Sequence, residues 1–455
     1  MLPTALEKRI KRQIIGKPHR FLAIVPLGFE QTLVQELLGF GLEFADAETA
    51  PRIAGDGKVE FTTKITETWK AVAYSRIANR VLMHVYDFKA ENFRDLEKKA
   101  AEIPWELYLA PDPVQIHVTS KHSRLYHSDA VAERLQKVLE GVSLPLAPAA
   151  ASATPSPRGL APNTPHSAPQ NLYVTLIDDR CTIWLDLAGE ELYKRGHERF
   201  VNDAPLKETI AAAMLFEASS IAPSKEIAVF DLMAGSGTFS LEAAYMANGL
   251  IPGKCRDFAL KHQPAFKEAT WNFITKNIVA GDSGAKQSIA RIITSDISPK
   301  AVEIVKHNVE CSPLAGIEPA PVSPQLRDFF DYTAQEIADA CQVGIHSDNS
   351  NPSEASPVIV LNPPYGKRLD FDAPKLYTRL GRRLAELARA LQALGQSLTV
   401  AILAPKDDNR PGSAYTCTAN LLRECPGLSP EHNPAAKCIA TSHGGFSLNA
   451  FIAKI

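Results

Sequence analysis

From residue 227 onward, short apolar runs recur at Ile227–Phe230, Ile289–Thr294, Pro357–Leu361 and Leu398–Leu403. The stretches Thr238–Ala247, Pro299–Val309 and Pro374–Leu394 lie between them and read as helices. Such alternation predicts a parallel, doubly wound sheet, because a strand that leaves through a crossover helix returns parallel to its start. The end departs from this rhythm. Lys437–Thr441, a Gly444-Gly445 turn and Phe446–Ile455 predict an antiparallel hairpin on the edge of the sheet. That ending points away from dinucleotide dehydrogenases.

The N-terminal part is built differently. Phe21–Val25 reads as a strand ended by Pro26, and Glu30–Leu38 as a helix with Leu33, Val34, Leu37 and Leu38 on one face. A second strand, Val59–Phe61, precedes a long amphipathic stretch through Trp69, Val72, Ile77 and Val81. Another strand at Val114–Val118 leads to a basic helix carrying Val131, Leu135, Val138 and Leu139. Together these predict a small α/β module. Residues 143–171 hold seven prolines in 29 positions and cannot join a sheet or helix. They read as a loop inside the module, because Leu172–Leu176 and Thr182–Leu187 look like a hairpin around Asp178-Asp179 that completes it. The expected plan is a basic N-terminal extension (1–20), the module (21–199) and the sheet domain (200–455).

With 45% apolar residues the chain can fill several cores, which excludes disorder throughout. Charge balances at 49 basic against 51 acidic residues, so nucleic acid, if bound, must be held by local patches. The seven cysteines include no C-x-x-C pair, which speaks against a zinc site or disulfide framework and suits a reducing cytoplasm. The basic N-terminus lacks the apolar core of a signal peptide, and no run approaches the roughly 18 apolar residues of a membrane span. The expectation is a cytoplasmic protein with no metal and no membrane contact. Oligomeric state is not legible.

Three turns carry the chemistry. The first, Asp231-Leu-Met-Ala-Gly235-Ser-Gly237-Thr238, follows a strand and opens a helix. Glycines let a ligand approach the backbone, and the helix N-terminus offers N–H groups to a carboxylate such as that of S-adenosylmethionine. Glycine-rich turns of this kind also serve packing alone. The second is Asp296, at a strand end before Pro299, placed either to accept from ribose hydroxyls or to share a helix cap with Ser298. Asp328 in Leu-Arg-Asp-Phe is suited to an adenine amine, or is a surface-loop aspartate. The third is Asn362-Pro363-Pro364-Tyr365-Gly366 directly after an apolar strand. Its prolines stiffen the turn and leave carbonyl oxygens free of local donors. The Asn362 oxygen and a nearby carbonyl can hold both hydrogens of a planar amine while Tyr365 stacks on the ring. Such an amine is a poor nucleophile, and fixing it opposite a sulfonium methyl lowers the barrier by orientation. Methylation at a pyrimidine carbon ordinarily needs a cysteine nucleophile, and neither Cys341 nor Cys417 sits in a matching motif.

Taken together these residues resemble the bacterial THUMP-domain 23S rRNA guanine-N2 methyltransferases of the RlmL type. The resemblance runs through AIVPLGFEQTLVQELLGFG, YSRIANRVLMHVYDF, VTSKHSRLYHSDAVAERLQKVL, LDLAGEELYKRGHERF, APLKETIAAAML, LEAAYMANGLIPG and NPPYGKRL. It implies a ferredoxin-like plus THUMP module followed by a Rossmann-like, seven-stranded class I methyltransferase domain. It implies S-adenosylmethionine against Asp231, Gly235, Gly237, Asp296 and Asp328, and a guanine amine against Asn362, Pro363 and Tyr365. The implied partner is RNA, in the form of 23S rRNA or a large-subunit assembly precursor. Leu232 and Ala234 stand where the family has proline and cysteine. Basic residues suited to RNA are Lys121, Arg124 and Arg134, then Lys194 and Arg195, then Lys367 and Arg368 beside the third turn, although isolated charges are usually solvated faces. Other readings keep the amine chemistry on tRNA guanine or on adenine N6, or take the chain as an RNA-binding protein whose glycine turn has decayed.

Overall fold

The computed structural model describes residues 4–142, 170–201, 205–276, 288–342, 354–365, 372–407 and 416–455. The proline-rich stretch up to residue 169 lies outside them, as do Lys367 and Arg368. Two seven-stranded sheets organise the chain. The first holds β1 (Pro18–Ile24), β2 (Arg52–Gly55), β3 (Lys58–Lys64), β4 (Arg80–Lys89), β5 (Val114–Lys121), β6 (Gln170–Ile177) and β7 (Arg180–Asp186). Their order is β2-β3-β1-β4-β7-β6-β5, antiparallel except for β5 with β6. A parallel pair requires a crossover, and the helix Ser128–Glu140 lies within it, burying Val131, Leu135 and Leu139. Asp178 and Asp179, both with positive φ, close the two-residue turn between β6 and β7.

Two sequence expectations are corrected here. The amphipathic stretch around Trp69 is not one element: the helix Ile65–Tyr74 ends, and Val81 belongs to β4, whose residues Val81, Leu82 and Met83 are buried. From Thr4 on, the N-terminal segment is no loose extension, because Leu6, Ile10 and Ile14 are buried in the main core.

The second sheet holds β8 (Glu226–Asp231), β9 (Ser288–Asp296), β10 (Pro324–Leu326), β11 (Ser356–Leu361), β12 (Thr399–Pro405), β13 (Lys437–His443) and β14 (Phe446–Lys454). Their order is β10-β9-β8-β11-β12-β14-β13, with β8 to β12 parallel and the β13–β14 hairpin antiparallel. Every residue of β11 and β12 is buried, as covering on both faces requires of a central parallel strand. Chain order reverses at β8, which has β9 on one side and β11 on the other, so the carboxyl ends of these strands frame a crevice.

One apolar core runs through both sheets, joining Leu33 and Trp69 to Met214, Val358 and Ile452. Polar ties cross the same boundary. Thr32 Oγ1 donates to Glu217 at 2.6 Å, and buried Arg76 donates to the carbonyls of Tyr245 and Leu250. Among the described residues, no helix is long and apolar enough to cross a membrane.

Candidate active site

The crevice is a cavity of about 560 Å³. Gly235 and Ser236 after β8, Asp296 and Ile297 after β9, Asp328 to Phe330 after β10, and Asn362 to Tyr365 after β11 line it. Three turns far apart in sequence therefore meet at one place. The volume lies within the range of small-molecule sites.

The turn after β8 works through its backbone. Gly235 has φ +56°, and its N–H donates to Asp296 Oδ2 at 2.9 Å. Asp296 Oδ1 accepts from the Ser298 N–H at 2.8 Å, so both readings of this aspartate meet: it supports the helix start and also lines the cavity. Gly237 has φ +78°, and a Cβ there would stand 3.0 Å from Val305, so its glycine answers to packing against the helix Pro299–Glu310. Gly237 is also the N-cap of the helix Thr238–Ala247 and supplies no side-chain cap. Leu232 is buried in the core, and the Ala234 N–H donates to Ser295 O at 3.1 Å, so the two departures from the family pattern leave the turn formed.

Asp231 lies beneath that turn, and neither it nor Gly237 lines the cavity. Asp231 is 1% exposed, and its Oδ2 accepts from the Ser240 N–H at 3.0 Å and from Ser240 Oγ at 2.7 Å. It thus serves as the missing cap of the helix. Burial pushes its carboxyl up to about 7, with the nearby Asp296 adding to the rise. Asp328 does line the cavity, and its Oδ1 accepts from the Phe330 N–H at 3.1 Å.

The turn after β11 works through a side chain. Asn362 Oδ1 is buried and has no hydrogen-bond partner among the described residues. A buried amide oxygen without a donor carries a desolvation cost of about 1–3 kcal/mol, which a ligand N–H would relieve. Pro363 is buried behind it, and Tyr365 presents its ring to the edge of Phe446, the centroids 5.7 Å apart at 72°. Among the described residues no cysteine lines the cavity, and Cys341 and Cys417 are buried elsewhere, with burial pushing the Cys341 thiol up to about 12. This free acceptor suits an amine N–H, and the described lining holds no nucleophile of the kind carbon methylation needs.

The basic residues divide sharply. Arg195 is corrected as an RNA contact: it is 4% exposed and locked to both oxygens of Glu242 at 2.9 and 3.1 Å, with further bonds to the carbonyls of Leu192 and Arg76. It joins the two halves of the molecule. Arg199, four residues on, pairs with Glu208 and donates to Ser236 and Thr238, holding the glycine turn from behind. Lys194 pairs with Glu190, Arg134 with Glu97, and Arg124 with Glu91, all on the exposed surface. Lys121 is exposed and has no ion pair among the described residues. Near it Tyr126, 68% exposed, stands against His127 with ring centroids 4.1 Å apart. Away from the cavity, Glu198, His307 and Cys311 bring potential metal-ligating atoms within 4.8 Å of one another, a grouping the expectation of no metal did not foresee.

Sequence reasoning missed Ile297 and Phe330 on the cavity wall, which Arg379 also lines, 4.1 Å over the Phe330 ring. A signal existed for Ile297: a large apolar residue directly after the strand-end aspartate, which the structure leaves 68% exposed.

A family model described as the RlmL ferredoxin-like domain matches residues 20–82, and one described as the RMKL-like methyltransferase domain matches residues 195–320. The chain is 29% identical over 383 residues to the ribosomal RNA large subunit methyltransferase K/L of Allochromatium vinosum, covering 81% of this chain and 46% of that protein. It thus spans about half the length of the curated K/L relatives it matches. Among solved structures it is similar to SMU.472 complexed with SAH, at 22% identity and TM-score 0.67, covering 96% of this chain and 98% of that one. It is also similar to TrmN from Thermus thermophilus, at 17% identity and TM-score 0.56, covering 96% and 100%. At these identities the likeness establishes the fold, which is that of methyltransferases.

Proposed function

We propose that this chain, which matches models of the RlmL ferredoxin-like and RMKL-like methyltransferase domains, methylates the exocyclic N2 amine of a guanine in large-subunit ribosomal RNA, with S-adenosylmethionine as the donor. The observation that carries this reading is the unpartnered Asn362 Oδ1 on the wall of a cavity whose other wall is the glycine turn. The donor supplies an electrophilic methyl group. The chain supplies its seat: the backbone of the glycine turn at the helix start for a carboxylate, Asp296 for the ribose, and Ile297, Phe329 and Phe330 as apolar cover for a purine beside Asp328.

On the target side, Asn362 accepts one amine hydrogen, and a carbonyl of the proline turn accepts the other. Tyr365 stacks on the ring and fixes its plane. Orientation of this kind can supply up to roughly 7–11 kcal/mol of a barrier. RNA would lie across Lys121, Arg124, Arg134 and Tyr126 on the first sheet's edge, with Lys194 nearer the chemistry and Lys367 and Arg368 following the Asn362 turn in sequence. We place the protein in the cytoplasm, where its substrate is made.

The deciding experiment is nucleoside mass spectrometry of ribosomal and transfer RNA from a strain lacking the gene. Loss of N2-methylguanosine from one large-subunit position supports the proposal. Loss from tRNA, loss of N6-methyladenosine, or no loss at all would overturn it.

A further inference from the structure

The grouping of Glu198, His307 and Cys311 lies outside the active-site cavity and takes no part in the chemistry proposed above. His307 is in the last turn of the helix Pro299–Glu310, and Cys311 is the residue that closes it. The Cys311 N–H donates to His307 O at 2.9 Å, so one helical turn sets the two side chains on the same face. Cys311 Sγ stands 3.4 Å from His307 Nε2. Two such atoms bound to one tetrahedral zinc ion, with bonds of about 2.3 Å to sulfur and 2.0–2.1 Å to nitrogen, lie roughly 3.5 Å apart. The helix end therefore already holds one edge of a coordination tetrahedron.

The third side chain comes from the segment that joins the two halves of the molecule. That segment is held against the same helix: the Phe200 N–H donates to Asn308 Oδ1 at 2.7 Å, and Asn308 Nδ2 donates back to Phe200 O at 2.9 Å. The Phe200 ring stacks on the His307 imidazole, centroids 3.9 Å apart at 19°, which fixes the imidazole plane. Glu198, two residues earlier, is exposed and brings a carboxylate oxygen within 4.8 Å of both other ligand atoms.

We propose that Glu198, His307 and Cys311 bind a zinc ion that staples the joining segment to the helix Pro299–Glu310, with water in the fourth position. The ligand set selects the metal: thiolate and imidazole suit zinc, whereas magnesium and calcium take oxygen ligands. Charge also balances, since one carboxylate and one thiolate neutralise a divalent cation while the imidazole binds as the neutral ring. Binding forms a zinc–sulfur bond as the Cys311 thiol gives its proton to solvent, with no change of oxidation state. Asn308 also donates to Ser236 O at 3.0 Å, so the staple stands one residue from the tie that reaches the glycine turn. Sequence spacing hid the site, because a His-x-x-x-Cys pair at one helix end is completed by a carboxylate from a distant segment.

The test uses the full chain, treated with a chelator and then titrated with cobalt(II) or zinc. One equivalent of cobalt should give a thiolate-to-metal charge-transfer band, and zinc should displace it. Zinc binding should release a proton, read as a dependence of the calorimetric enthalpy on the buffer, and should raise Tm. Cys311→Ser should abolish the band. Loss of an outer partner of a metal ligand already costs about ten- to hundredfold in affinity, so His307→Ala should weaken zinc binding about a hundredfold or more and Glu198→Gln about tenfold or more. The double variant Cys255→Ser, Cys438→Ser, which removes the two exposed thiols, should keep the band. Without metal, the wild type and Glu198→Gln should share one Tm, which separates a lost site from a lost fold. No band in the wild type, a band that survives Cys311→Ser, or zinc affinity unchanged by Glu198→Gln would overturn the staple.

Discussion

The turns after β8 and β11 face one cavity from neighbouring strands, yet they contribute to it by opposite means. After β8 the chain presents its backbone: Gly235 is tethered to Asp296, Gly237 at the helix start has no side chain to offer, and the buried carboxylate, Asp231, faces the protein and caps the helix from beneath. After β11 it presents a side chain, Asn362, stiffened by prolines, whose oxygen has no partner among the described residues. Under the proposed function, the difference teaches that the first turn is architecture a ligand borrows, whereas the second carries a group whose bonding a substrate would complete. Substitutions should therefore separate stability and cofactor affinity on one side from turnover on the other.

The largest effect is expected behind the first turn. Arg195→Ala strips Glu242, in the helix that follows the glycines, of its bidentate partner and should cost about 3–5 kcal/mol of stability, read as denaturant unfolding. Asn362→Ala should leave stability and S-adenosylhomocysteine affinity nearly unchanged while turnover falls about a hundredfold or more. Near-normal turnover would place the amine's acceptor elsewhere and erase the contrast. Asp296→Ala should reverse that pattern, weakening calorimetric S-adenosylhomocysteine binding about tenfold or more, because Gly235 and Ser298 lose their shared anchor along with the proposed ribose acceptor.

Asp231 sharpens the comparison through pH. Its folded value of about 7 lies above that of an ordinary carboxyl, so between about pH 4 and 7 the folded protein keeps a proton that the unfolded chain has lost. Its contribution to stability is therefore full below that window and declines as pH rises through it. Asp231→Asn removes the decline. The variant's Tm should gain on the wild type by a few degrees as pH moves from 4.5 to 7.5, and a constant difference would show that the carboxyl titrates normally. Glu36 and Asp186, also pushed up by burial, cancel in the comparison. The smallest effect belongs to the surface: Lys121→Ala should weaken RNA binding a few-fold and flatten the log–log salt dependence by about 0.7. No change in slope would remove the β5 edge from the interface.

Much of the second domain was legible because its signals are local. Continuous apolar runs marked β8, β11 and β12, and Thr238–Ala247 begins and ends at the residues its pattern indicates. The first sheet was less so: Arg52–Gly55 is exposed throughout and carries no apolar pattern, and Val81 continued a helical period from Trp69 although it belongs to a strand.

The sequence by itself determined the kinds of turn: glycines where φ is positive, an aspartate at a strand end, an asparagine stiffened by prolines. Those are properties of a few adjacent residues, and the backbone has little choice about them. Only the tertiary structure decided which polar groups face a ligand. Asp231 and Asn362 both end apolar strands, but the helix beginning at Thr238 covers the first, whereas nothing among the described residues meets the oxygen of the second. Arg195 and Lys121 are likewise indistinguishable as cations in a sequence, and one is buried against Glu242 while the other stands exposed at the end of an edge strand. Burial depends on what the rest of the chain packs nearby, and charge and hydrogen-bonding capacity act only where that packing leaves them exposed or unpaired.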